Sequence, residues 1–288
     1  MKEQIIVTMT TWRERISNLP IVLNTILKQS IPADKIVVNL SYDEIIPEDI
    51  KLFLVNNNIE INRVADTKVY KKLIPTLKRY PNDCIITIDD DWIYPKGMIE
   101  DFIRIHKKYP DNPISGNHII KHQLQCHCGC ASLVKASYFG TYLNCIDEDV
   151  IKKCPSDDMV YTYFTNKAGF PYIRTENQYF TNMEPYNDTK SYTESYVVRS
   201  GIDSSFEYLV ERFGKLSPCI SSYLNIKDDY IATIINEIFE REYDRGAKDM
   251  ERIFLSTYSY RLGDFILKPM KLIKSIIYHK IHHYKSYK

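Results

Sequence analysis

No stretch of this 288-residue chain approaches the ~18 consecutive apolar residues that a membrane-spanning helix needs. Contact with a membrane surface stays open; a span across it is not expected. The chain also lacks an excess of charge of either sign, with 38 Lys and Arg against 37 Asp and Glu and a net charge of +1. Nucleic-acid binders carry a basic excess, so nucleic acid is not expected as a partner. No apolar leader precedes the first strand-like residues, Ile5-Ile6-Val7, and the seven cysteines are an odd number. Together these point to reduced thiols and a cytoplasmic location. Internal repeats and low-complexity linkers are missing as well.

What is present is ordinary for a protein with a full core: 44% hydrophobic and 26% charged residues, enough for one large α/β domain or two small ones. The 23 tyrosines suit stacking surfaces as well as half-buried strand positions, and carry no functional weight alone.

The first half alternates between two periodicities. Strands are expected at Ile5 to Met9, Lys35 to Leu40, Ile59 to Val64 and Cys84 to Ile88. Helices are expected at Leu19 to Gln29, Pro47 to Asn56, Lys72 to Tyr80 and Gly97 to Lys108. This order implies a mainly parallel sheet covered by helices on both faces, an α/β fold that binds ligands at the carboxyl ends of its strands. Beyond Pro110 the pattern loosens. Strands fit Ile114 to Ile120, Leu124 to Val134 and Phe170 to Arg174, and helices fit Cys145 to Lys153 and Asp158 to Lys167. From about residue 190 the chain reads as helical, through Phe206 to Phe213, Asp228 to Tyr243 and Asp249 to Tyr258. The expected division is 1–190 (halves of about 1–95 and 96–190), a helical extension over 191–265, and a tail over 266–288.

Three carboxylates, Asp89-Asp90-Asp91, follow directly on the strand Cys84 to Ile88. Clustered like charges repel, and a site that keeps them ionised needs a cation. Oxygen ligands suit Mg²⁺ or Mn²⁺ bridging to the phosphates of a nucleotide. An acidic loop or helix cap is the plainer reading, and the strand-end position weighs against it. A second pair, Asp157-Asp158, opens a helix after Cys154-Pro155-Ser156. A carboxylate there can act as a general base, and Ser156 with Asp157 can equally cap the helix. Lys71 and Lys72 precede the acidic strand end, as diphosphate contacts or as solvated surface lysines. Thr8, Thr10, Thr11 and Arg13 follow the first strand, where a nucleotide base would sit, although threonine is also a normal strand residue.

Five stretches in order carry a resemblance. They are Val7-Thr8-Met9-Thr10-Thr11-Trp12-Arg13-Glu14-Arg15-Ile16, Ser30-Ile31-Pro32-Ala33-Asp34-Lys35-Ile36-Val37 and Tyr70-Lys71-Lys72-Leu73-Ile74-Pro75-Thr76-Leu77. Ile86-Thr87-Ile88-Asp89-Asp90-Asp91-Trp92-Ile93-Tyr94-Pro95 and Cys154-Pro155-Ser156-Asp157-Asp158-Met159 complete the set. Over residues 5 to 175 or so, the chain resembles bacterial glycosyltransferases of the GT-A fold, related to family 2 and found in capsule and surface-polysaccharide synthesis. The resemblance implies a GT-A (nucleotide-diphospho-sugar transferase) fold, a Mn²⁺ or Mg²⁺ cofactor, a nucleotide-sugar donor with a UDP-sugar favoured, and a glycan or lipid-linked acceptor. It implies a DxD motif at Asp89 and Asp91, with Asp91 the direct metal ligand, Asp89 on donor and metal, and Asp90 among the donor contacts. Asp66 and Lys72 would contact the base and diphosphate, and Asp157 or Asp158, with Asp158 preferred, would supply the base of an inverting reaction. Two departures fall on the acceptor side: Cys128-Gly129-Cys130-Ala131 replaces a glycine-rich stretch, and Val160 stands in place of a tryptophan.

A nucleotidyltransferase making the nucleotide sugar is the competing enzyme class. It would carry a Gly-rich phosphate loop after the first strand, and Thr10-Thr11-Trp12-Arg13-Glu14-Arg15 has no glycine. A non-catalytic membrane-associated protein of the same fold is the third reading, and the intact acidic residues weigh against it. Cys126, Cys128 and Cys130 alternate, which suits one packed strand face better than a zinc site. In the tail, Met270, Ile273, Ile277, Ile281 and Tyr284 recur at helical spacing among lysines. Such a helix can lie on the anionic inner face of the plasma membrane, or dock on protein.

Overall fold

A computed structural model describes residues 3–116, 118–121, 124–127, 131–174, 184–185 and 196–216. The chain divides into two compact units, Met1–Asn225 and Ile226–Lys288, and every described residue belongs to the first. The elements run β1 (Ile5–Thr10), α1 (Leu19–Leu27), β2 (Lys35–Ser41), α2 (Glu48–Asn56), β3 (Glu60–Val64), α3 (Ile74–Arg79) and β4 (Cys84–Ile88). They continue with β5 (Trp92–Ile93), α4 (Met98–Lys108), β6 (Ile114–Ser115), β7 (His118–Lys121), β8 (Leu124–His127) and β9 (Ala131–Val134). Then come α5 (Glu148–Lys153), α6 (Asp157–Lys167), β10 (Ile173–Arg174), β11 (Glu184–Pro185) and α7 (Tyr196–Phe213).

Seven strands form one sheet in the order β10-β6-β9-β4-β1-β2-β3. β1 pairs in parallel with β2 and β4, and β2 pairs in parallel with β3. β9 runs antiparallel to both β4 and β6, so six strands share a direction and one opposes it. Side-chain alternation sorts the buried residues onto two faces. Val7, Met9, Val38, Leu40, Ile86 and Ile88 pack with α1, α2 and α4 through residues such as Leu23, Ile26, Leu54, Phe102 and Ile105. Ile6, Val37, Ile85 and Val134 pack on the other face with Leu73, Leu77, Phe139, Val160 and Phe164, and α7 adds Leu209 there.

The alternating first half of the sequence folds as its periodicities imply, and the departures have local causes. Where one helix from Lys72 to Tyr80 is expected, a 3-10 turn over Lys68–Lys72 comes first and α3 begins at Ile74, with Pro75 in its first turn. Proline fits there because its missing N–H has no intrahelical partner to lose. Lys71 and Lys72 thus close a turn rather than open a helix. The run from Ile114 to Val134 is divided into β6, a β7–β8 hairpin pair and β9. Where a helix from Cys145 is expected, a 3-10 run over Ala136–Cys145 precedes α5, whose N-cap Asp147 accepts the Val150 N–H at 3.0 Å. Cys126 lies on β8, while Cys128 and Cys130 lie outside the described residues. So do the expected helices at Asp228 to Tyr243 and Asp249 to Tyr258 and the basic tail.

One polar node sits inside this frame. Thr8, Asn39 and Thr76 are all fully buried. Asn39 donates to the Thr8 hydroxyl at 2.9 Å and the Thr76 hydroxyl at 3.0 Å, and accepts from Asn62 at 2.7 Å. The Thr8 hydroxyl also donates to the Lys72 carbonyl at 2.8 Å. The node joins β1, β2 and β3 to the turn that carries Lys72. Asn39→Ala would strand several buried polar groups, at about 2–3 kcal/mol. Urea unfolding is expected to show a lower midpoint at unchanged slope; an unaltered midpoint would remove the node from the account of stability.

Candidate active site

Asp89, Asp90 and Asp91 leave the carboxyl end of β4, beside the carboxyl end of β1. The three carboxylates separate at once. Asp90 turns inward, is 6% exposed, and accepts from the Thr11 hydroxyl at 2.6 Å. Arg15, in the 3-10 turn Arg13–Asn18 after β1, is also 6% exposed. One of its guanidinium nitrogens donates to Asp90 at 2.9 Å and to Asp91 at 2.9 Å. Asp89 and Asp91 keep side chains that are 27% and 25% exposed.

Asp89 is fixed from two sides. Its N–H donates to the Tyr94 hydroxyl at 2.7 Å, and Tyr94 is buried, its own N–H donating to Thr25 of α1 at 3.3 Å. Its carboxylate accepts from the Lys72 ammonium at 2.8 Å. Lys72 is buried and reaches Asp157, at the start of α6, at 3.5 Å. This one ammonium joins two acidic segments 68 residues apart in sequence, Asp89 and Asp157. Asp157 is buried and Asp158 partly exposed. Ser156 precedes them at the N-cap position, but its side chain makes no capping hydrogen bond.

The electrostatics follow from this packing. Burial alone would lower the Lys72 ammonium, but Asp157, Asp89 and Asp158 together hold it well above the usual lysine range. Burial, then the Asp89 charge, pushes Asp91 up to about 6 even with Arg15 beside it. Burial also raises Asp90, against the Thr11 and Arg15 hydrogen bonds. The two buried cations thus do not offset the carboxylates in full. An all-oxygen donor set with a residual negative charge fits a hard divalent cation, and Asp89 and Asp91 are the pair that faces outward.

The remaining expected residues fall into a neighbouring group. Lys71, also buried, donates to Ser41 at 2.7 Å and to Asp66 at 2.5 Å. Asp66 is 58% exposed in its side chain, and accepts the Lys68 N–H at 3.0 Å, bracing a left-handed residue at Lys68 (φ 54°). The turn Lys68–Lys72 therefore sends one lysine into each cluster. Thr8 lies under it, fully buried, with its hydroxyl engaged in the polar node. Thr10 is half-buried and donates to the Asn39 carbonyl at 2.8 Å, and Arg13 is exposed. Residue-by-residue reading gave no role to Arg15, Asn39 or Tyr94. Only Arg15 had a usable signal, a cation one helical turn past the first strand in a segment facing the acids.

No family model matches the chain, and no curated protein matches its sequence. Among solved structures, a mannosyltransferase from Pyrobaculum calidifontis in complex with GDP-Man and Mn²⁺ aligns over 92% of this chain and 82% of its own, with 12% identity and a TM-score of 0.53. TarS of S. aureus in complex with UDP covers 82% of this chain and 79% of its own at 15% identity, with a TM-score of 0.46. A 4-diphosphocytidyl-2C-methyl-D-erythritol synthase covers 70% of this chain and 100% of its own at 11% identity, with a TM-score of 0.42. At such identities the likeness is one of fold, and the first alignment carries it: the chain has the GT-A fold.

Proposed function

We propose that this protein is a metal-dependent, inverting glycosyltransferase that takes a sugar from a nucleotide-sugar donor, a UDP-sugar by preference. The observation that carries the reading is the Lys72 bridge, which puts the outward-facing acids at the end of β4 beside the acids that open α6. Asp89 and Asp91 would hold Mn²⁺ or Mg²⁺, which supplies Lewis-acid charge to a departing diphosphate. Arg15 fixes Asp91 through the shared contact with Asp90. Lys72 adds positive charge on the same side, and Asp66 with Lys71 borders the place for the nucleoside. Asp158, the more exposed of its pair, accepts the proton of an acceptor hydroxyl. That oxygen bonds to the anomeric carbon as the carbon–oxygen bond to the diphosphate breaks, and the nucleoside diphosphate leaves with inverted stereochemistry at the sugar. The acceptor class is a glycan or a lipid-linked acceptor of bacterial surface-polysaccharide synthesis. Among the described residues no helix is long and apolar enough to cross a membrane. The lysine-rich periodicity of 266–288 supports a cytoplasmic protein resting on an anionic inner membrane face.

Asp91→Asn is expected to lower Mn²⁺-dependent transfer by at least about 100-fold, as loss of a metal-held charge implies. The assay follows release of the nucleoside diphosphate from UDP- and GDP-sugars and of CMP from CMP-sugars. Unchanged turnover would sink the metal assignment, and pyrophosphate release from a nucleoside triphosphate mixed with a sugar 1-phosphate would establish nucleotidyl transfer instead.

The elevated Asp91 gives a pH signature in metal-free protein. Below about pH 3, Asp91 is protonated in folded and unfolded chains alike and contributes nothing. Between about 4 and 6 the unfolded chain ionises first, so the folded state loses stability as pH rises, by roughly 3 kcal/mol in all. The Tm advantage of Asp91→Asn over the parent is therefore expected to grow from about pH 4.5 to about pH 7.5 without metal. A constant difference would contradict the burial argument. For the tail, deleting residues 266–288 should shift the protein from the membrane to the soluble fraction; a parent protein already soluble would end that part of the proposal.

A further inference from the structure

A second cluster of ligand-type side chains stands at the amino end of β4, the end remote from the aspartates. Cys84 is the first residue of β4, His106 lies in the last turn of α4, and Glu3 precedes β1. The Cys84 sulfur, a His106 ring nitrogen and a Glu3 carboxylate oxygen all lie within 4.8 Å of one another. Cys84 is fully buried, the His106 side chain is 12% exposed and that of Glu3 is 36% exposed, so the group opens to solvent on the glutamate side alone.

The surroundings orient each ligand. Lys135 holds one Glu3 oxygen at 2.5 Å, which leaves the other oxygen, Oε2, facing His106 Nε2 at 3.5 Å. The Tyr138 hydroxyl donates to the Pro110 carbonyl at 2.6 Å, so its oxygen accepts at His106 Nδ1, 3.4 Å away. That contact places the ring proton on Nδ1 and leaves the Nε2 lone pair directed at a carboxylate. Burial favours the neutral ring, in which these two electron-rich atoms face each other, and either a proton on Nε2 or a metal ion relieves the contact. Ligands at 2.0–2.3 Å from a tetrahedral zinc stand about 3.3–3.8 Å apart, a range that includes the Glu3–His106 separation. A histidine with its second nitrogen fixed by a hydrogen bond is the usual arrangement at metal sites.

We propose that Glu3, Cys84 and His106 form a binding site for Zn²⁺, independent of the aspartate cluster and chemically distinct from it. Its sulfur and nitrogen donors select a softer ion than the all-oxygen set does. Binding releases the Cys84 thiol proton to solvent, leaves His106 neutral, and ties the start of β1 and the start of β4 to the end of α4. Burial, then the Glu3 charge, keeps the thiol protonated in the free protein, a situation that a bound zinc ion reverses.

The test uses the full chain after chelator treatment, titrated with Co²⁺ as a spectroscopic substitute and then with Zn²⁺. The expected result is a thiolate-to-cobalt charge-transfer band and visible bands of tetrahedral intensity that saturate at one cobalt per chain and are displaced by Zn²⁺, any cobalt at the aspartates giving no thiolate band. Cys84→Ser and His106→Gln are each expected to abolish that band, Tyr138→Phe to weaken affinity by about tenfold or more, and Asp91→Asn to leave the band in place. Because Cys84 is in the core, circular dichroism and Tm of each variant establish that it is folded, and His106→Gln at the cluster's margin serves if Cys84→Ser is not. Absence of the band in the parent protein overturns the proposal, and so does a band that survives in folded His106→Gln, which would assign the thiolate to other cysteines.

Discussion

Consecutive carboxylates at the end of a buried strand can exist only if cations are buried with them. β4 is covered on both faces, so its end delivers Asp89, Asp90 and Asp91 into a partly dry place where their mutual repulsion is poorly screened. Arg15 and Lys72 answer that requirement from two other parts of the chain. Neither cation could be buried without the acids, because an unpaired buried charge costs several kcal/mol. The mutual dependence fixes the turn after β1 and the turn before α3 around one point. The polar node of Thr8, Asn39 and Thr76 carries the same point down into the sheet, since it holds the backbone of Lys72 itself.

This pairing also divides the work among the acids. Asp90 is saturated by Thr11 and Arg15 and serves as the internal counterion. Its neighbours are thereby left on the outer side, Asp91 tethered by the same guanidinium and Asp89 by Lys72 and the Tyr94 hydroxyl. The added middle charge explains why a buried arginine is needed here as well as a lysine. Asp157 then completes Lys72 from the far side.

Much of this was legible in the sequence, and the limits were physical. Period-two apolar runs ending in Asp89-Asp90-Asp91 were enough to place an acidic group at a strand's carboxyl end. The parallel order of β1 to β4 followed from the strand and helix alternation. The antiparallel β9 was not readable, because a four-residue strand such as Ala131–Val134 looks alike whichever way its partners run. Local sequence left Lys71 and Lys72 open between diphosphate contacts and surface lysines, since it cannot show that Ser41, Asp66, Asp89 and Asp157 converge on them. Arg15 offered only its position shortly after the first strand, because its partners lie 75 and 76 residues away. Asn39 interrupts an apolar strand, and only its partners Thr8, Thr76 and Asn62 on other elements show what its polarity does.

The two ends of β4 differ in a way that the strand itself imposes. Five residue steps separate Cys84 from Asp89, roughly 16 Å along an extended chain, too far for one ion to bridge and close enough for one strand to register both ends. At the carboxyl end the residues available are hard carboxylates backed by cations, two of them partly exposed. At the amino end they are a thiol, an imidazole and a single carboxylate, with the thiol already inside the core. A partly exposed, all-oxygen set suits an ion that must also hold phosphate oxygens and keep open positions for them. A compact set of mixed donors anchored to β4, α4 and the chain before β1 suits an ion that holds elements together. Because the two donor sets prefer different ions, occupation of one need not deplete the other, and the strand connecting them can be stiffened from its amino end without any charge being added to the acids at its carboxyl end.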